Sequence, residues 1–177
     1  VTGADGLLGS NLVRELLARG YRVRALIQPG REPFTLAGLD IEFAFGDIMY
    51  KDGLVSLMKG CTYVVHAAAS TAVWPARNPV ARMINMVGTT HVIEAAKAAG
   101  VSRLIHVSSA CAFGTAGKRQ PGNEESTYTG TSHGIDYIHS KYLSQQTALE
   151  AANGSMDVVV VNPTFMIGAF DSGPGSG

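Results

Sequence analysis

The sequence predicts an α/β fold: a doubly wound parallel sheet in three layers, helices on both faces. Three observations carry this. Short β-branched runs alternate with amphipathic stretches along the 177 residues. Glycines stand where helix C-caps belong, at Gly20, Gly60 and Gly100. A glycine-spaced turn joins the first apolar step to the first helix. Right-handed crossovers leave few other topologies for six strands alternating with helices.

The elements follow in order. Val1-Thr2-Gly3 reads as the last step of a strand whose beginning is missing. Leu8, Leu12 and Leu16, with Val13 and Leu17, form one helical face that ends at Gly20. Strands are expected over Tyr21 to Ile27, stopped by Pro29-Gly30, and over Ile41 to Phe45, stopped by Gly46-Asp47. A short helix from Asp52 to Met58 precedes a strand from Thr62 to Ala67. One long helix, Val80 to Ala99, leads to a strand from Val101 to Val107 whose apolar residues on both faces suit a buried parallel strand. Gly114 to Gly134 is polar and Gly/Pro-punctuated, a long loop of the kind that often carries function. A helix from Ile135 to Ala152, ending near Asn153-Gly154, and a strand from Met156 to Val161 complete the alternation. Residues 1–170 are therefore expected to be one domain with a truncated first strand, and residues 171–177 a loop leading to a lobe outside this chain.

Composition narrows the function. Hydrophobic residues make up 46% of the chain and charged residues 16%, a globular balance. Lys+Arg and Asp+Glu both number 14, so the basic excess of a phosphate-tracking nucleic-acid binder is missing. No apolar run reaches the roughly 18 residues of a membrane span, and no charged n-region opens the chain. Cys61 and Cys111 lie in apolar stretches without CxxC or Cys/His spacing, which predicts buried, unpaired thiols in a reducing, cytoplasmic setting. His66, His106, His133 and His139 show no metal spacing and are expected to be structural.

Three motifs carry chemistry. Thr2-Gly3-Ala4-Asp5-Gly6-Leu7-Leu8-Gly9 joins strand to helix. Gly3 permits the tight turn, Gly6 lets backbone approach a pyrophosphate, and Gly9 lets the helix lie close to the sheet. The helix N-terminus adds N–H donors and positive dipole. The spacing is G-x-x-G-x-x-G, which departs from the G-x-G-x-x-G fingerprint. Tyr137 and Lys141 form Y-x-x-x-K on one helix face. A neighbouring ammonium would lower the phenol pKa from about 10 and make Tyr137 a usable acid–base group. Taken alone, the pair reads first as a half-buried Tyr beside a solvated Lys, a common arrangement on helices. Ser108 and Ser109 end the fifth strand, where open α/β sheets place ligands, although such a serine can also bond its own backbone.

In that order on six βα units, these motifs resemble the extended short-chain dehydrogenase/reductase family, which has a Rossmann-type fold. Gly46-Asp47-Ile48, His66-Ala67-Ala68-Ala69, Asn85-Met-Val-Gly88-Thr89 and Asn162-Pro163-Thr164 extend the resemblance over essentially the whole chain. The wording from Val158 to Gly168 is most similar to the dihydroflavonol reductase-like branch.

The resemblance implies an NAD(P)-dependent oxidoreductase moving hydride between nicotinamide and a carbonyl or secondary alcohol. It implies Gly3, Gly6, Leu7 and Leu8 at the cofactor phosphates, Asp47 and Ile48 at the adenine, and Ala67, Ala68 and Ala69 along the ribose and nicotinamide. Pro163 and Thr164 would border the carboxamide. Ser109, five residues before Gly114, would partner Tyr137, with Ser108 the weaker candidate, and Lys141 would also hold the nicotinamide ribose. The partners implied are a small-molecule substrate and a second copy of the chain in a homodimer.

Two departures stand out. His91 replaces the usual Asn of Gly-Thr-x-Asn, a packing change. Gln28 ends the second strand where Arg or Asp is common, which leaves cofactor choice to Arg31 or Arg24. An unopposed Arg31 would favour NADP over NAD by a modest margin. Trp74 and Arg77 are either substrate contacts or loop anchors. Two rival functions remain: an epimerase or dehydratase that recycles bound NAD, and a non-catalytic NAD(P) sensor. The sensor reading is disfavoured by the Tyr-x-x-x-Lys couple.

Overall fold

Thr2 joins the two halves of the sheet. In the computed structural model, which describes residues 1–114, 121–152 and 156–171, Thr2 forms parallel bridges to both Leu26 and His66. Leu26 N–H donates to the Val1 carbonyl at 2.8 Å, and Thr2 N–H to the Val65 carbonyl at 2.9 Å. On one side of this step β1 (Arg24–Ile27) pairs in parallel with β2 (Glu42–Phe45). On the other, β3 (Tyr63–His66), β4 (Arg103–Val107) and β5 (Asp157–Val161) run parallel in that order. The spatial order is thus β2, β1, the Val1–Thr2 step, β3, β4, β5. Winding reverses at Thr2, and an open α/β sheet opens its ligand crevice at such a point, beyond the strand carboxyl ends.

The alternation of side chains sorts two cores. Ala25 and Ile27 of β1 pack with Ala4, Val23, Leu36 and Val13 of helix α1 (Leu7–Ala18). On the opposite face, Val64 and Leu104 pack with helices α2 (Lys51–Met58), α4 (Thr89–Ala98) and α5 (Asp136–Ala151). Leu104 is fully buried there, so its truncation to Ala should cost about 2–5 kcal/mol. Gly20, Gly60 and Gly100 all adopt positive φ at the ends of their helices, as their positions predict.

The structure departs from the sequence reading in several places. Strand β4 is not sealed on both faces: Leu104 and His106 are buried, while Ile105 and Val107 are half-buried. The long helix is α3 (Pro79–Met83) and α4 joined by a π-helical turn, Ile84–Gly88. The distortion coincides with Asn85, whose buried amide is drawn onto the loop after β3 and bonds the N–H and C=O of Ser70. Cys61 and Cys111 are free but half-buried rather than buried. The expected loop from Gly114 to Gly134 includes a 3-10 turn, Gly130–His133, and part of it lies outside the described residues, as do the Asn153-Gly154 helix end and residues 172–177. Among the described residues no helix is long and apolar enough to cross a membrane.

Candidate active site

The glycine turn builds one end of a cleft of about 610 Å³. Gly3 has φ 65°, and a Cβ there would lie 2.7 Å from the Ala68 nitrogen, so both conformation and close approach demand glycine. A Cβ on Gly9 would overlap the Gly3 carbonyl oxygen, which is how helix α1 comes so near the turn. Gly6 differs. Its backbone is extended, at φ −79° and ψ 174°, and a Cβ would meet only the Gly3 carbonyl oxygen, at an ordinary 3.5 Å. Packing therefore does not require Gly6, which leaves the cleft side as its reason. As N-cap it offers no side chain, so the first-turn amides of α1, at Leu7 and Leu8, remain for an anionic ligand.

The opposite end is made of side chains. Ser109 follows β4, and its hydroxyl accepts from Cys111 N–H at 3.3 Å on the side of the cleft where Tyr137 lies. Tyr137 and Lys141 come from the first turns of α5. The Lys141 ammonium is 4% exposed and donates to the Val107 carbonyl at 2.7 Å. Burial brings its pKa down to about 8. The Tyr137 phenol moves the other way from the expectation. Burial, followed by the nearby Cys111 thiol, raises its pKa, and the Ser109 hydroxyl offsets only part of this. Lys141 is turned to the strand end and does not lower it in this geometry.

Burial also holds the two histidines of the adjoining strands neutral. His66 sits between the hydroxyls of Thr2, at 2.8 Å, and Thr89, at 3.0 Å. His106 is pushed down to about 3 by burial and then by Lys141, and neither of its ring nitrogens has a partner among the described residues. His91 donates to the Ile48 carbonyl at 3.0 Å, tying the segment after β2 to α4.

At the rim beyond β1 and β2, Gln28 donates to Asp47 at 3.0 Å, and Arg31 pairs with Asp5 at 3.2 Å. Arg31 is therefore not the unopposed charge that the sequence suggests. Arg24 lies at the other end of β1, paired with Glu42 and donating to the Leu57 and Lys59 carbonyls, so it takes no part in the cleft. Arg77 proves to be an anchor: it pairs with Asp136 at 3.3 Å, next to Tyr137. Trp74 is 84% exposed and, like Arg77, does not line the cleft.

Apart from Arg24, Trp74 and Arg77, every residue marked from the sequence for the cofactor or the chemistry lines this one cleft. The turn residues and Gln28, Arg31, Asp47 and Ile48 form one end; Ala67 to Ala69, Ser109, Tyr137, Lys141, Pro163 and Thr164 form the other. The sequence reading passed over Asp5, although a charge inside a glycine turn was there to notice. Asn85, which entered only as part of the resemblance, bonds Ser140 one residue before Lys141 and so braces the α5 face that carries the pair. A long, open cleft with a glycine cradle suits a dinucleotide better than a compact ligand.

The comparisons agree with this geometry. The chain matches the NAD dependent epimerase/dehydratase family over residues 1–176. It is 36% identical over 176 residues to sterol demethylase protein B of Methylococcus capsulatus, covering 98% of this chain and 53% of that protein. It is 30% identical over 191 residues to dihydroflavonol 4-reductase of Zea mays, covering 97% and 53%. Among solved structures, the dTDP-glucose 4,6-dehydratase DesIV of Streptomyces venezuelae, with NAD bound, superposes with a TM-score of 0.78 at 28% identity, over 90% of this chain and 53% of that one. The chain thus spans about half the length of the relatives it matches. With the glycine turn, the Tyr-x-x-x-Lys helix and the family match running over the same residues, this chain belongs to the NAD-dependent epimerase/dehydratase family.

Proposed function

We propose that this chain is the NAD(P)-binding part of a dihydroflavonol reductase-like oxidoreductase that interconverts a carbonyl and a secondary alcohol. The observation that carries the reading is the convergence of Ser109, Tyr137 and Lys141 on the far end of the cleft that the glycine turn opens. A bound nicotinamide supplies or accepts the hydride.

The chain's own residues do the rest. Tyr137 gives its phenolic proton to the substrate oxygen during reduction, and its raised pKa keeps that proton in place beforehand. Ser109, which lines the same end of the cleft, holds the substrate oxygen toward the phenol. Lys141, with a pKa near 8, holds the nicotinamide ribose hydroxyls and gives up little to do so, since its partner is a single carbonyl. The relatives are about twice the length of this chain, and we take the substrate, a small carbonyl or alcohol, to be selected by residues outside it. We take the enzyme to be a cytoplasmic homodimer. The exposed Val80 and Met83 of α3, with Val87 and Leu149, support a second copy against the helical face.

The test uses the full-length protein with NADPH and NADH and a panel of ketones and aldehydes. Steady loss of reduced-nicotinamide absorbance supports the reading. The dehydratase likeness favours a second reading, in which tightly held NAD is recycled within each turnover. Conversion of a sugar nucleotide without net cofactor consumption would establish that one instead.

A further inference from the structure

We propose that the Asp5–Arg31 ion pair sets which dinucleotide the cleft prefers, and that Asp5 is the residue that withholds the 2′-phosphate. The inference rests on the cleft being a dinucleotide site.

Asp5 stands inside the glycine turn, one residue before Gly6, and is 9% exposed. Its carboxylate meets Arg31 at 3.2 Å, and its backbone carbonyl accepts the Thr35 hydroxyl at 2.9 Å. The segment after β1 is thus fastened to the phosphate-side turn through a single residue. Arg31, with a side chain 58% exposed, lines the cleft and retains donors beyond the one given to Asp5.

The charges at this rim decide what those donors can do. Gln28, where β1 ends, brings no charge and is engaged by Asp47. The rim therefore presents two carboxylates, Asp5 and Asp47, against one guanidinium. A 2′-phosphate dianion brought here can reach Arg31 only beside the carboxylate that already neutralises it. A ribose 2′-hydroxyl meets no such conflict and can donate to a carboxylate. The rim thus favours NAD, where an unopposed Arg31 would give a modest NADP preference.

The pairing also gives Arg31 a second task. It covers a carboxylate set into the wall next to the turn that would receive the pyrophosphate. Removing Arg31 uncovers that charge, so both cofactors suffer, not NADP alone.

The experiment measures dissociation constants by calorimetry on the full-length protein, for NAD, NADP, 5′-ADP and 2′,5′-ADP. The last two isolate the 2′-phosphate from the nicotinamide. Thermal unfolding of each variant confirms folding, and Asp5→Ser stands in if Asp5→Asn does not fold. Asp5→Asn should shift the NADP-to-NAD affinity ratio toward NADP by about fivefold, the worth of roughly one charge contact. The ratio of 2′,5′-ADP to 5′-ADP should shift with it. Arg31→Ala should weaken both dinucleotides, and adding Asp5→Asn to it should restore NAD affinity but not NADP affinity. A ratio in Asp5→Asn within twofold of wild type, or an Arg31→Ala that weakens NADP and leaves NAD untouched, would overturn the proposal. A wild type that binds neither dinucleotide overturns the functional reading, and this inference with it.

Discussion

At one end of the cleft the surface is backbone: the turn from Gly3 to Gly9 and the first-turn amides of α1, where a Cβ on Gly3 would collide with Ala67–Ala68 just after β3 and one on Gly9 with the turn itself. At the other end the surface is side chains from three separate segments, Ser109, Tyr137 with Lys141, and Pro163–Thr164. The first end costs the fold little, because close packing already requires glycine at Gly3 and Gly9. The second is a polar insertion into the interior: α5 buries Asp136, Ser140, Lys141, Ser144 and Gln145 where a structural helix would bury Leu or Ile. A binding end made of backbone can thus be rigid and stable at once. A chemical end made of buried polar groups is held at the expense of stability.

Four predictions probe that contrast. The largest effect belongs to Tyr137→Phe, which keeps the ring and its packing and removes only the proton. Turnover should fall by about 10²–10⁴-fold with cofactor affinity nearly intact. A kcat within a few-fold of wild type would remove Tyr137 from the chemistry.

Gly6→Val and Gly9→Ala should part ways at the backbone end. The first adds bulk where the protein has room and a pyrophosphate would not. It should fold normally yet bind NAD(H) on the order of a hundredfold more weakly. The second drives a Cβ into the Gly3 carbonyl and should lower the unfolding temperature outright. Equal thermal damage from both would mean that Gly6 serves the fold alone.

Lys141→Met should expose the stability cost of the chemical end. The folded pKa of about 8 lies below the ordinary 10.5, so between these values the unfolded chain holds a proton that the native one has released. Native stability owed to this group therefore rises with pH through that window and is lowest below it. At neutral pH the Met variant should be more stable by up to roughly 3 kcal/mol, with the gap closing toward pH 10.5, while turnover and cofactor KM both worsen. Chemical denaturation of both proteins across that range would show it, and a Met variant less stable at pH 7 would refute it.

The smallest effect is assigned to His106→Leu. Two unpartnered ring nitrogens make the wild-type residue a poor core group, so the variant should gain about 1 kcal/mol at pH 7. Below pH 6.5 the wild type should lose stability as the unfolded histidine takes up a proton that the native one refuses down to about pH 3. The Leu variant should lose less over the same titration.

Much of this was legible in the sequence because it is local. The helix faces, the cap glycines and the glycine turn each depend on residues a few positions apart, and Y-x-x-x-K places two side chains on one face by helical geometry alone. Resemblance then ordered the motifs along the chain, and the cleft collects every residue it marked. What misled the reading was long-range. The Tyr137 pKa depends on where the Lys141 ammonium points, and Val107, 34 residues away, takes it. Arg31 looks unopposed in sequence because its carboxylate lies 26 residues back, inside the glycine turn.

The sequence by itself determined the alternation of strand and helix, the backbone cradle and the identity of the groups available for chemistry. Each of these follows from near-neighbour sterics and periodicity. Only the tertiary structure decided the charge state and the partners of those groups. Thr2 bridges β1 and β3, reaching His66 across 64 residues, and that closure sets which carboxylate faces which cation and which amines leave water. Electrostatics and desolvation act through space, so they become fixed only when the sheet has formed.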